Sequence, residues 1–329
     1  MSDAALSFPT VRTSRQGVRR NEQAPAAWLL LTPSLILMFV ILVVPIIVAA
    51  GLSFTSYSLG SANVNWVGFQ NYERLFTRSS YAKMFSATFG YVAVVVPISI
   101  ALGLGAALLI NSLRSGGHVY RAIYFLPVMA ALLAMTIAWE FTLHPTVGIV
   151  NDALASGCDV SVIRAVLGEW YAQGCGQGFP VWLGERRTAF WVVCFIGIWQ
   201  AFGFNMVLYL AGLTSVPREL YQAAEMDGAR SAWERFRLVT WPMLGPTTVF
   251  VVTITLIKSF QVFDTVEALF PQSGGPAKST YVMMFAIYEK AVKQNLVGIG
   301  AAITVLFLFL VMAVSLAQRW WIERRVHYG

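Results

Sequence analysis

Ionisable and amide side chains are rare inside the apolar stretches of this 329-residue chain, so the few that occur there mark where chemistry could happen. One stretch carries Lys258, Gln261 and Asp264 at three-residue intervals. That spacing drifts around one stripe of a helix. Another stretch carries Gln200, Phe204 and Asn205; Gln200 and Phe204 share a face at i, i+4. A lysine at the centre of a membrane helix costs roughly 2.5–3.5 kcal/mol. Lys258 therefore either lines a polar cavity or snorkels to the headgroups. Amides suit pairs of hydroxyls, an aromatic face suits the apolar face of a sugar ring, and a lysine suits hydroxyls or a phosphate, sulfonate or carboxylate. The same side chains could instead hold a partner by interhelical hydrogen bonds. All of this is recognition rather than bond breaking. The sequence has no HExxH, no nucleophile–base pair at the end of an apolar stretch and no GxxxxGK[ST] phosphate loop, so it cannot hydrolyse ATP by that route. Its three cysteines and three histidines are scattered and do not suggest a zinc site.

The elements that must carry these residues are membrane spans. The chain is 57% apolar and only 12% charged, about half the charged fraction of a soluble domain. The surplus apolar surface calls for lipid. We expect an all-α integral membrane protein with six spans, at about 28–52, 84–110, 119–141, 188–213, 243–264 and 297–320. Residues 1–27 form an N-terminal tail and 28–329 the transmembrane domain. The first apolar run is too long for a signal peptide and lacks a small-residue cleavage site. Pro127 is expected to kink the third span. In the second, Gly103, Gly105, Ala106 and Ala107 form a small-residue face for helix packing. The net charge of +7 does not point to nucleic acid, because the basic residues cluster at span ends. Arg12, Arg15, Arg19, Arg20, Arg114, Arg121, Arg218, Arg230, Arg235, Arg237, Arg319, Arg324 and Arg325 all fall on one side of a six-span topology. By the positive-inside rule both termini are cytoplasmic. The largest outer loop, 142–187, contains Cys158 and Cys175, a candidate disulfide in an oxidising compartment. Cys194 lies within a span and reads as a packing residue.

Between the fourth and fifth spans lies the longest charge-bearing segment flanked by apolar runs, residues 217–242. Leu220, Ala223, Ala224 and Met226 suggest one apolar helical face, broken after about two turns at Asp227-Gly228. A second short helix is expected from Ser231 toward Trp241, ending at Pro242. A short helix faced with small residues is shaped to lie in a partner's groove.

This segment resembles the EAA loop of ABC-importer permease subunits, through Gln222-Ala223-Ala224, Asp227-Gly228-Ala229 and Trp241-Pro242. The upstream Pro217-x-Glu219-Leu220-Tyr221 is similar to the carbohydrate (maltose/glycerol-phosphate-type) branch of the binding-protein-dependent family. Gln222 stands where that family usually has Glu, and Trp241 where it usually has Leu. Further matches cover nearly the whole chain: Pro33 and Pro45, Ser53-Phe54, Gly68-x-x-Asn71-Tyr72, Arg121 to Pro127, Trp139, Ala211 to Leu213, and Gly274-Gly275-Pro276. The resemblance implies the type I importer permease fold with a cytoplasmic coupling loop at 214–242. It implies a bacterial inner-membrane transport subunit, not an enzyme, that passes a sugar or sugar-derived solute. Coupling to the ATPase would run through Glu219, Gln222, Ala223, Ala224, Asp227 and Gly228. Solute contacts would fall near Gln200, Ala201, Phe204, Gln261 and Asp264. The implied partners are a second, homologous permease, an ATPase dimer that holds the ATP and Mg, and a periplasmic solute-binding protein. This chain would bind no cofactor of its own. The rival reading is an ion-coupled secondary transporter or channel, which should show internal repeats and ionisable groups in several spans. We see no clear repeat, and Lys258 is the only clear mid-span ionisable group.

Overall fold

The computed structural model describes residues 24–61, 63–113, 115–159, 174–176 and 178–323. Arg12, Arg15, Arg19, Arg20, Arg114, Arg324 and Arg325 lie outside the described residues, as does most of the N-terminal tail. The chain divides into two units, 1–49 and 50–329.

The first unit is helical. Helix α1, Ala24–Met38, passes through a π-helical turn, Phe39–Val43, into α2, Val44–Leu52. Pro45 has no N–H to donate, and the wider turn directly before it absorbs the missing bond. The apolar run of 26 residues is about 39 Å long at 1.5 Å per residue, enough to cross a hydrocarbon layer of about 30 Å.

The second unit begins with a short amphipathic helix, α3 (Gln70–Thr77), followed by α4 (Ser79–Ser112), α5 (Gly117–Met129), α6 (Leu132–Thr142) and α7 (Ile149–Ser156). Then come α8 (Arg186–Thr214), α9 (Arg218–Met226) and α10 (Ala232–Arg235). The last group is α11 (Gly245–Phe260), α12 (Asp264–Leu269), α13 (Met283–Tyr288) and α14 (Val297–Glu323). Among the described residues the only extended pairing is an isolated bridge, Thr55 to Trp66. Five helical stretches are long and apolar enough to span a membrane, and α5 with α6 supplies a sixth if the bent pair counts as one span.

That pair corrects the expected third span. Pro127 lies inside α5, and the break falls later, at Ala130 and Ala131, which are both extended. The chain turns there by 95°. With 13 and 11 residues, the halves are about 20 and 17 Å long, so neither alone crosses the bilayer.

Helices α4 and α8 make the main packing interface. Lipid offers no hydrophobic drive between helices, so close backbone approach and hydrogen bonds must hold them. A Cβ on Gly103 would stand 2.7 Å from Asn205 Cβ and 3.0 Å from the backbone N of Met206. Ala107, one turn on, is fully buried. Gly105 meets nothing within 4 Å, so the expected four-residue small face narrows to Gly103 and Ala107. On the other side of α8, a Cβ on Gly203 would stand 2.1 Å from the carbonyl oxygen of Tyr124 in α5.

The residues after the first span are tied down by side chains. Asn71 Nδ2 donates to the carbonyls of Ser53 and Thr55, both at 2.8 Å, and the Tyr72 hydroxyl donates to Ser53 Oγ at 2.7 Å. Cys158 and Cys175 are joined in a disulfide with their Cα atoms 5.7 Å apart. Cys194 is free and buried.

Candidate solute cavity and the 217–242 loop

Helix α8 places Gln200, Ala201 and Phe204 on one wall of a cavity of about 330 Å³. The opposite wall comes from the end of α11 and the start of α12. Here the structure departs from the expected single stripe. Helix α11 stops at Phe260, Gln261 leaves helical geometry at φ −84°, ψ 11°, and Phe263 is at φ −144°, ψ −57°. The Gln261 N–H caps α11 on the carbonyls of Ile257 and Lys258. Helix α12 then restarts with Asp264 and Glu267 in its first turn, where the helix dipole favours carboxylates. Lys258, Gln261 and Asp264 thus sit on a helix, a break and a new helix, and all three still line the cavity.

Lys258 reaches across to the wall formed by α8. Its Nζ lies 3.9 Å from the centroid of the Phe204 ring, a cation–π contact between the two walls. Neither Lys258 nor Asp264 takes part in an ion pair among the described residues. The site therefore offers one cation, one carboxylate, two free-standing amides (Gln200 and Gln261) and an aromatic face.

Asn205 also touches the cavity, but its amide is engaged at both ends. Nδ2 donates to Ser99 Oγ of α4 at 3.3 Å, and the Thr255 hydroxyl of α11 donates to Oδ1 at 2.8 Å. With 1% of its surface exposed, it joins three helices.

The sequence reading missed the remaining walls. Tyr91 and Val95 come from α4, while Val128 and Leu132 flank the α5–α6 break. These are ordinary packing residues by type; Val128 comes with α5 packed on α8, and Leu132 follows the 95° bend. It also missed what anchors α12. Lys293 Nζ contacts both Glu267 oxygens, at 2.7 and 2.9 Å, donates to the Pro271 carbonyl, and lies over the rings of Phe285 and Tyr288. A 26-residue separation leaves no local signal for that pair.

The 217–242 loop is built from local rules. Helix α9 ends in a Schellman arrangement. The Gly228 N–H bonds the Glu225 carbonyl, the Ala229 N–H bonds the Ala224 carbonyl at 2.9 Å, and Gly228 has φ +95°. Ala224 and Ala229, the apolar pair such a turn favours, are both buried in one small cluster. Helix α10 opens with a capping box. The Ser231 hydroxyl accepts from the Glu234 N–H, and the Glu234 carboxylate accepts from the Ser231 N–H. Those bonds hold the Glu234 carboxyl below its ordinary pKa. Arg235 pairs with Glu225 at 2.5 Å, and the Tyr221 and Thr240 hydroxyls meet at 3.0 Å. The expected second helix, from Ser231 toward Trp241, is present, with a change of winding inside it. After Arg235 it continues as a π-helical turn, Phe236–Thr240.

The expected apolar face of α9 is corrected. Ala224 faces the protein with partly buried Tyr221, whereas Leu220, Ala223 and Met226 point outward, Met226 with 89% of its surface exposed. Glu219, Gln222, Ala223 and Met226 recur at i, i+3, i+4 and i+7 and make one exposed stripe. Asp227 and Gly228 are also exposed. A helix that turns its largest apolar side chain to solvent has a surface left to cover.

The comparison with known families shows what this helical membrane chain with its outward-presenting loop is. The family described as "binding-protein-dependent transport system inner membrane component" matches residues 99–328, and the chain belongs to it. It is the permease subunit of an ABC-type importer, a multi-pass inner-membrane transport subunit without an ATPase site of its own. That membership removes the ion-coupled transporter reading. The chain is 27% identical over 91% of its length to the probable starch degradation products transport system permease protein AmyD of Thermoanaerobacterium thermosulfurigenes, covering 94% of that protein. It is 30% identical over 90% of its length to the inner membrane ABC transporter permease protein YcjO of Escherichia coli, covering 93% of it. A bacterial ABC transporter involved in the import of the acidic polysaccharide alginate contains a chain of the same fold. That chain has a TM-score of 0.73 at 20% identity, over 92% of this chain and 96% of that one.

Proposed function

We propose that this permease passes a carbohydrate or carbohydrate-derived solute through the cavity between α8 and the α11–α12 break. The observation that carries the reading is the convergence of Gln200, Ala201, Phe204, Asn205, Lys258, Gln261 and Asp264, drawn from separate helices, on one cavity. Polar groups within a membrane bundle are costly and usually line a path or a contact. The lining joins amides, which pair with adjacent hydroxyls, to an aromatic face, on which a sugar ring can stack. The relative named for starch degradation products supports the carbohydrate class.

The partners follow from the same reading. The exposed stripe of α9 docks one subunit of an ATPase dimer, which holds the ATP and Mg. A second, homologous permease completes the path, and a periplasmic binding protein delivers the solute. Both termini and the 217–242 loop are cytoplasmic. Closure of the ATPases would displace α9 and, through α8 and α11 on either side of the loop, re-orient the cavity between the two faces of the membrane. The arginines beside the first and last spans and those of the 217–242 loop support this orientation.

The test is uptake by the reconstituted complex of a mixed maltodextrin and arabinooligosaccharide pool. Phe204→Ala should lower uptake of whichever sugar is carried at least tenfold and leave co-purification of the ATPase unchanged. Full uptake by that variant would sink the cavity assignment.

A further inference from the structure

At the end of α4 and α8 away from the 217–242 loop, a second cavity of about 450 Å³ opens. Lys83 of α4, Arg186 and Arg187 of α8, and Lys278 of the 274–279 turn converge on it, and no carboxylate lines it. None of the four cations belongs to an ion pair among the described residues. Like charges gathered from three separate segments repel one another, and an anion among them relieves that repulsion.

Three further observations show that the cluster is held in place. Lys83 Nζ donates to the Ala277 carbonyl at 3.3 Å, and Lys278 Nζ lies 4.3 Å above the Tyr281 ring. Each ammonium keeps donors free. Ala277 and Lys278 are held at φ +51° and +63°, left-handed geometry that costs a non-glycine residue energy and that packing must enforce. Ser279 Oγ, also in the lining, is buried without a hydrogen-bond partner. In addition, Arg186 and Arg187 occupy the first turn of a 29-residue helix, where the dipole disfavours cations and favours an anion.

Deeper in, the lining turns apolar. Gly90 lies seven residues beyond Lys83 on α4, about 10 Å along the helix. The Phe190 ring rests against it, with Cζ 3.2 Å from where a Cβ on Gly90 would stand. Trp191 flanks the opening with 52% of its surface exposed, as tryptophans do at the membrane–water boundary. Cations at the rim and an apolar floor fit an amphiphile. We propose that this cleft binds a phosphate-class oxyanion, supplied by the headgroup of an anionic phospholipid whose chain runs past Gly90.

The experiment places the purified importer complex in nanodiscs of phosphatidylcholine alone or with phosphatidylglycerol. Retained lipid is read by native mass spectrometry and stability by thermal melting. A parallel arm titrates inorganic phosphate in detergent. We expect phosphatidylglycerol to be retained and to raise the melting temperature by several degrees. Lys83→Gln/Arg187→Gln should cut retention at least tenfold while melting like the parent in phosphatidylcholine. Lys278→Gln alone should do the same to a lesser degree, so that a misfolded double variant does not decide the matter. If phosphate alone reproduces the shift with no preference between the lipids, the oxyanion site stands and its lipid source is overturned. Equal retention by parent and variants, or no response to either probe, overturns the site itself.

Discussion

At the end of α9 the chain turns on Gly228, whose φ of +95° only glycine adopts cheaply, and restarts on a serine whose hydroxyl caps the next helix. At the end of α11 it turns at Gln261-Val262-Phe263, with no glycine or proline in the break. That second break is held from outside. Thr265 and Val266 are buried, the rings of Phe263 and Tyr288 meet at 5.1 Å, and Lys293 pins Glu267. The loop proposed to meet a partner is therefore locally encoded, and keeps its shape while its outer face is free. The cavity wall depends on the bundle around it, so a rearrangement of the bundle changes the cavity. A rigid handle joined to a packing-dependent site is what transmission of motion from one to the other requires.

The largest effect should come from the packing-dependent side. Asn205→Leu keeps the side-chain size but removes the bonds to Ser99 and Thr255. It should cost about 1–3 kcal/mol through the Thr255 hydroxyl left without its acceptor, while Ser99 keeps its bond to the Val96 carbonyl, seen as a lower melting temperature of the purified complex together with weakened uptake. Unchanged melting would mean that the three helices are held without this amide, and the contrast between the two regions would blunt.

Gly228 tests the locally encoded side. Gly228→Ala places a β-carbon in left-handed geometry, a cost of roughly 1–2 kcal/mol, confined to the α9–α10 turn. Gly228→Pro cannot adopt φ +95° at all. The proline variant should still insert, yet lose the ATPase on purification, with the alanine variant intermediate. Normal ATPase recovery with Gly228→Pro would refute the role of this turn in docking.

The smallest effect is electrostatic. The folded-state pKa of Glu234 lies below its unfolded value, because its carboxylate accepts the Ser231 N–H. Its contribution is therefore present above the ordinary glutamate pKa and is lost as pH falls through the lowered one. Hydrogen exchange at the Ser231 amide, corrected for intrinsic rate, should stay protected at neutral pH and rise only under acid. Glu234→Gln should flatten that dependence. An acid-insensitive amide in the parent would show that the capping box does not hold the loop.

Composition and charge placement determined the all-helical membrane class, because apolar surface in excess of what a soluble core can bury has only lipid to face. Residues 217–242 were legible down to the turn, since Asp227-Gly228 acts through bonds within a few residues. The cavity residues were legible as types, because Lys258, Gln261, Asp264 and Gln200 are conspicuous in apolar runs. Their arrangement was not. The 95° bend that brings Leu132 to the cavity, the break that separates Gln261 from α11, the commitment of Asn205 to Ser99 and Thr255, and the outward turn of Met226 were all decided by tertiary structure. Each depends on which distant surface a residue meets, and in a bundle held by close packing rather than by water that choice leaves no local pattern to read.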